Sequence, residues 1–366
     1  MKPPPRLAIL VHGKPGGIEA VRACGLAAGW PEDRLLLLYR EKDRRETAAD
    51  WSRRLDEFRP EAVYVLNTAM PGAALAPRWC RRHGVPYLLD TGDVIFEMAR
   101  RSGVTPLWKQ PFLWHFERLA QRRARTIVVR GTKHREHLLS RGYRSVEVIR
   151  DGYVPAPQVS EADVAALKRR LGLEGFFVAG VMGSLVWSPR LKICYGWDLI
   201  EAMAQLRDLP VRALIIGDGN GMDWLKARAD GFGVRDRVVF AGRIPYPEVP
   251  VHLRVMDVAL STQTNNLPGQ VRTTGKLPEY MATGRYVLAS RVGDAEVLLP
   301  PPMLVDYAGE VDAAYPGRLA AHIRHLATHP EELALRETLL AVAERECSYP
   351  VLARRFREVV MAAAVR

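Results

Sequence analysis

Ser261 to Ser290 reads STQTNNLPGQVRTTGKLPEYMATGRYVLAS, and this stretch decides the architecture of the chain. The aliphatic run Val258–Leu260 leads into a polar loop, then a short helical pattern, Leu277–Thr283, then a second aliphatic run, Tyr286–Ala289. That is one strand–helix–strand unit of a parallel sheet. Thr273 or Thr274 is expected to cap the helix, and Gly275 lets a ligand approach the backbone. Lys276 adds a charge to the helix start, where an anion is favoured by ~0.3–1 kcal/mol. Pro278 is tolerated in a first turn. Glu279 would repel a diphosphate that it faced. It either accepts hydrogen bonds from ribose hydroxyls or stabilises its own helix start.

The same alternation extends in both directions. Upstream, the runs Leu7–Val11, Leu35–Leu38, Ala62–Leu66, Tyr87–Leu89, Thr126–Val129 and Val146–Ile149 read as strands, with helical patterns such as Ile18–Ala28 and Ala48–Phe58 between them. The series restarts with Phe177–Met182, Ala213–Ile216 and Val238–Phe240, and closes with Met303–Val305. Helices are expected at Trp197–Leu206, Met222–Asp230, Val249–Arg254, Ala313–Thr328 and Glu331–Glu344. Two doubly wound α/β halves, joined through Pro155, Pro157 and a helix at Glu161–Leu171, account for the pattern. We expect an N-terminal domain over 1–160, a second over 161–345, and a C-terminal helix over 346–366 returning to the first.

At 366 residues, 48% hydrophobic and 26% charged, the chain suits two soluble domains. Its longest apolar runs fall short of the ~20 residues of a membrane span. The first run, Leu7–Val11, is too short for a secretory core. Cys24, Cys80, Cys194 and Cys347 lack paired-ligand spacing, so neither a disulfide framework nor a metal site is expected, as suits a cytoplasmic protein. The net charge of +12 lies mainly in the first half. The basic residues are dispersed and no recognition helix accompanies them, which argues against nucleic acid. An anionic membrane surface, a phosphate-bearing acceptor or a plain solvated surface remain.

Two glycine loops follow strands. His12-Gly13-Lys14-Pro15-Gly16-Gly17 is built for close approach to an anion but is not a dinucleotide fingerprint, which argues against a nicotinamide-dependent oxidoreductase. Ile216-Gly217-Asp218-Gly219 is a second such turn. Tyr87-Leu88-Leu89-Asp90-Thr91-Gly92-Asp93 places two carboxylates at a strand end expected to face a cleft; Asp93 is the candidate to orient or deprotonate an acceptor hydroxyl, or it caps the next helix. Trp108, Phe112, Trp114 and Phe116 precede Arg118, Arg122, Arg123 and Arg125. The stretch is able to lie on a membrane, but Phe112, Phe116 and Leu119 also have the spacing of a core helix. His134 and His137 are expected at the surface.

Taken in order, Gly183-Ser184-Leu185, Gly196-Trp197-Asp198, Ile216-Gly217-Asp218-Gly219, Phe240-Ala241-Gly242-Arg243, Met256-Asp257-Val258 and Lys276…Glu279-Tyr280-Met281-Ala282 resemble the group 1 (family four) retaining glycosyltransferases of the GT-B fold. That resemblance implies two Rossmann-like domains facing across a cleft. It implies a nucleoside-diphosphate sugar (UDP- or GDP-linked) as donor substrate, with no cofactor or metal, and a glycan or lipid-linked acceptor. Envelope or polysaccharide synthesis on the inner membrane face follows as an expected setting. Glu279 would hold the ribose and Arg243-Ile244 meet the base. Thr273, Thr274, Gly275 and Lys276 would meet the diphosphate, with Gly16 and Gly17 closing from the other domain, and Gly183, Ser184, Arg190 and Gly217 are expected among the donor-binding residues.

Two positions depart from the family pattern. Val271 stands where a carboxylate touching the donor sugar is frequent, and Ser184 and Tyr195 stand where a cationic clamp is usual. Arg190 and Lys192 lie in the same loop, and Lys192 is the expected clamp. A sugar-nucleotide epimerase of the same fold and a non-catalytic nucleotide-sugar-binding module stay open as alternatives.

Overall fold

The computed structural model describes residues 3–103, 105–155, 159–273 and 275–365. Thr274 and Pro157, both singled out above, lie outside the described residues. The first sheet comprises Leu7–Val11 (β1), Leu35–Tyr39 (β2), Ala62–Leu66 (β3), Tyr87–Thr91 (β4), Thr126–Val129 (β5) and Val146–Val148 (β6), in the order β2-β1-β3-β4-β5-β6. The second half contains Phe177–Met182 (β7), the two-residue strands Trp187–Ser188 (β8) and Ile193–Cys194 (β9), Val211–Ile216 (β10), Val238–Gly242 (β11), Val258–Ser261 (β12), Tyr286–Ser290 (β13) and Leu304–Val305 (β14). Its sheet runs β11-β10-β7-β12-β13-β14, while β8 and β9 form a separate antiparallel hairpin. Pairing is parallel throughout both large sheets.

Every residue of β1, β3, β4, β12 and β13 is buried, as expected of parallel strands covered by helices on both faces. The order of the second sheet reverses between β7 and β12, so a crevice opens beyond the carboxyl ends of those two strands. Gly183 and the Ser261–Ser290 stretch are thereby brought to one place. The helix Tyr349–Ala364 returns to the first sheet, burying Tyr349, Leu352, Phe356 and Val360 there. The Phe356 ring meets Tyr64 edge-on at 4.9 Å. Gly25 and Gly152 are without side chains because the Tyr349 ring fills the space a Cβ would need.

Four expectations are corrected. Asp90 does not face the cleft: it is fully buried, accepting hydrogen bonds from Tyr64 (2.5 Å), Arg22 (2.6 Å) and Arg130 (3.2 Å). His134 is fully buried rather than exposed, because it and Leu138, one helical turn apart, share the inward face of Thr132–Ser140. Phe112 and Leu119 are exposed (71% and 39%), since Gln110–Arg123 turns Glu117, Ala120 and Gln121 inward instead. The helix expected over Glu331–Glu344 divides into a 3-10 segment, Pro330–Arg336, and an α-helix, Glu337–Cys347. No helix among the described residues is long and apolar enough to cross a membrane.

Candidate functional site

The crevice is built on close backbone contact between two turns. Gly183, directly after β7, donates its N–H to Ile216 O (2.9 Å), and Leu185 donates to Asp218 O (3.0 Å). Gly217, at φ +140°, and Gly219, at φ +156°, hold a conformation that side chains disfavour. A Cβ at either would collide with the carbonyl of Gly183 or Leu185. The glycines therefore serve the approach of the two turns, leaving Ser184 exposed at the crevice rim.

Lys276 opens the helix Lys276–Ala282. Its Nζ sits 3.4 Å from the centre of the Tyr195 ring, and a Cβ on Gly183 would lie 2.8 Å from it. Tyr195 is itself fixed, its hydroxyl donating to Leu260 O at 3.0 Å. Burial pulls the Lys276 ammonium down to about 7, helped by Arg272 and opposed by Asp198. No hydrogen-bond acceptor faces Nζ among the described residues. Thr273 does not cap the helix, whose N-cap is Gly275 without a side-chain bond; among the described residues the buried Thr273 hydroxyl has no hydrogen-bond partner. Around Gly275 a Cβ would meet open space.

Glu279 lies three residues on, on the same helix face. Burial pushes its carboxyl up to about 6, against the opposing effect of a hydrogen bond from the Tyr246 hydroxyl to Oε1 (2.6 Å). Arg243 is exposed in the loop after β11, and Ile244 packs on the second core. Tyr246 had no signal in the sequence, being separated from Glu279 by 33 positions.

The first half supplies the opposite wall. Gly16, at φ +78°, and Gly17 form the exposed turn into Ile18–Leu26, with Gly17 N–H donating to Lys14 O. Asp93 pairs with Arg272 across the cleft at 3.4 Å. Its loop is held by the buried Glu117, which accepts from Ile95 N–H (2.8 Å) and Phe96 N–H (3.0 Å). Other ties cross the cleft: Asp294 accepts from Thr132 N–H (3.0 Å) and Lys133 N–H (3.3 Å) and pairs with Arg150, while Arg101 pairs with Glu310. Arg190 also crosses, donating to Arg100 O at 3.1 Å. Lys192 is exposed in the turn between β8 and β9, at φ +53°. The structure therefore gathers Gly183, Ser184, Gly217, Gly275, Lys276 and Glu279, and leaves Lys192 on a hairpin too short for its strands to be read in sequence.

Comparison with known proteins agrees with this geometry. The profile "Glycosyl transferases group 1" matches residues 177–328, and "Glycosyl transferase 4-like domain" matches residues 9–152. The chain belongs to the group 1 glycosyltransferases, and its two facing parallel sheets are the GT-B fold. It is 28% identical over 256 residues to the 2-deoxystreptamine glucosyltransferase of Streptomyces kanamyceticus, covering 67% of this chain and 61% of that protein. The match to the 2-deoxystreptamine N-acetyl-D-glucosaminyltransferase of Streptomyces fradiae is 27% over 266 residues, covering 68% and 59%. The match thus spans about three fifths of each relative's length. Among solved structures, Anabaena HepE in complex with UDP-glucose superimposes with a TM-score of 0.76 at 17% identity, covering 98% of this chain and 100% of that one.

Proposed function

We propose that this chain transfers a sugar, with retention, from a nucleoside-diphosphate sugar to an acceptor hydroxyl. The carrying observation is the pair Lys276 and Glu279, both half-buried one turn apart on the helix at the crevice, one cationic and one anionic, with few internal partners among the described residues. In this reading Lys276 meets the diphosphate beside Gly183, Ser184, Thr273, Thr274 and Gly275, with Gly16 and Gly17 opposite. Glu279 takes the ribose hydroxyls, and Gly217, Arg243 and Ile244 surround the base. The clamp role that the sequence assigned to Lys192 moves to Lys276, whose ammonium is seated at Gly183. UDP is the favoured carrier, supported by the solved HepE complexes with UDP and UDP-glucose.

The reaction follows from these placements. The bond between the anomeric carbon and the phosphate oxygen breaks, its electrons passing to that oxygen. A cation already in position there stabilises the developing charge without reorganising. The acceptor oxygen, oriented by Asp93, bonds to the anomeric carbon on the same face and gives its proton to the departing phosphate. Residues 1–160 form the acceptor side, 161–345 the donor side, and 346–366 the returning helix. Leu107 (81% exposed), Trp108 (68%) and Phe112 (71%), with Lys109, Arg118 and Arg122 nearby, suit contact with an anionic membrane that carries a lipid-linked acceptor.

Glu279→Ala should weaken UDP binding at least tenfold by calorimetry; unchanged affinity would sink the assignment. Flotation with anionic vesicles at low salt should carry the wild-type protein upward, and failure to float removes the membrane element alone.

A further inference from the structure

Glu279 already holds a hydroxyl. The Tyr246 side chain is 47% exposed as a whole, yet its O–H is turned inward and donates to Glu279 Oε1 at 2.6 Å. It comes from a stiff element: Tyr246 lies between Pro245 and Pro247, begins the 3-10 turn Tyr246–Glu248, and follows Ile244, which packs on the core. An ionised carboxylate offers roughly four acceptor positions. With one taken by Tyr246, Oε2 and the rest of Oε1 remain for two vicinal hydroxyls. A carboxylate without that bond would be free to choose among rotamers.

We propose that Tyr246 is a positioning residue for nucleotide recognition, its hydroxyl fixing Glu279 so that the remaining carboxylate acceptors meet the ribose. This rests on the reading that Glu279 binds ribose. The loop that carries Tyr246 also carries Arg243 and Ile244, so the contact couples the base side of the site to the ribose side.

Other groups face Glu279. Tyr153 and Tyr349 feel its charge, and Arg254, Arg285, Arg336 and Glu337 line the same cavity of about 370 Å³. Among the described residues only Tyr246 hydrogen-bonds the carboxylate, and its bond opposes the effect of burial. Removing it therefore lets burial raise the carboxyl further, and the acid limb of nucleotide binding moves to higher pH. A loop staple with no role in recognition would lower thermal stability and leave that limb where it was.

The test measures UDP binding by calorimetry from pH 5 to 8 for wild type, Tyr246→Phe, Glu279→Gln and the double variant. Tyr246→Phe should weaken UDP about five- to tenfold at pH 7 and move the acid limb upward, raising donor KM with kcat unchanged. In the Glu279→Gln background the same change should cost less than about twofold, because the partner charge is gone. Wild-type affinity and an unmoved limb in a folded Tyr246→Phe protein overturn the proposal. An equal loss in both backgrounds overturns it too. Wild-type affinity in Glu279→Ala instead removes the ribose reading itself.

Discussion

The Asp90 cluster of the first half and the Lys276–Glu279 pair of the second treat charge in opposite ways. In the first, Asp90 accepts from Arg22, Arg130 and Tyr64, and Arg22 also donates to the carbonyls of Ile149 (2.9 Å) and Arg150 (2.6 Å). Burial alone would push the Asp90 carboxyl up; the two guanidiniums and the hydroxyl outweigh it and hold it below the usual carboxylate range. In the second, Lys276 rests on an aromatic face and Glu279 on a single hydroxyl. Their pKa values move towards the neutral forms, down to about 7 and up to about 6. A buried charge with all its partners holds a fold together; one without them is held ready for a ligand.

The largest effect should come from breaking the satisfied cluster. Asp90→Ala leaves Arg22 and Arg130 sharing the single carboxylate of Asp151 in the interior (3.3 and 3.5 Å) and unpairs the Tyr64 hydroxyl, at a cost of about 3–5 kcal/mol. Denaturant unfolding should show that loss, or the variant should fail to accumulate in soluble form. A cost under about 1 kcal/mol would mean that the cluster is hydrated and the contrast false.

Lys276→Met reverses the outcome. Deleting an ammonium that has no hydrogen-bond acceptor among the described residues removes a desolvation cost, so stability should hold or rise, while kcat/KM for the donor falls about 10²-fold. The linkage signs agree. Glu279, raised from about 4.3 in the unfolded chain, favours folding below that value and loses the contribution as pH rises through about 6. Lys276, lowered from about 10.4 in the unfolded chain, favours folding above that value and loses the contribution as pH falls through about 7. Between pH 6 and 7 both groups oppose folding while carrying the charges that a nucleotide needs. Donor kcat/KM should peak there, and Lys276→Met should lack the basic limb.

The sequence shows these two clusters unequally. Strand periodicity is local, so both large sheets could be read directly, and the Thr273–Glu279 segment shows in the sequence as a polar loop entering a helix, which is the part of the proposed site that local pattern can carry. Asp90 was misplaced because its partners lie 68 and 40 positions away, and a strand-end carboxylate looks alike whether or not arginines await it. The local pattern shows Lys276 as a helix-start charge suited to an anion, and nothing local reveals that Tyr195 lies beneath it. His134 was legible in principle, because its four-residue spacing to Leu138 marks the inward face. The exposed Phe112 was the converse error: Gln110–Arg123 keeps core spacing on two faces, and the buried one carries Glu117, Ala120 and Gln121.

The smallest expected effect tests the cleft between the clusters. Arg272 pairs with Asp93 at 3.4 Å, but both side chains are substantially exposed (50% and 37%). Such a pair is screened and contributes little, so Arg272→Ala should change stability by less than about 0.5 kcal/mol. Its effect should appear in titration instead. Arg272 is a like charge that lowers the Lys276 pKa, and its removal lets the ammonium persist to higher pH. The basic limb of donor kcat/KM should therefore shift upward while the acid limb, set by Glu279 and Tyr246, stays in place. Equal movement of both limbs would mean that one conformational change, rather than two separately placed charges, governs the pH response.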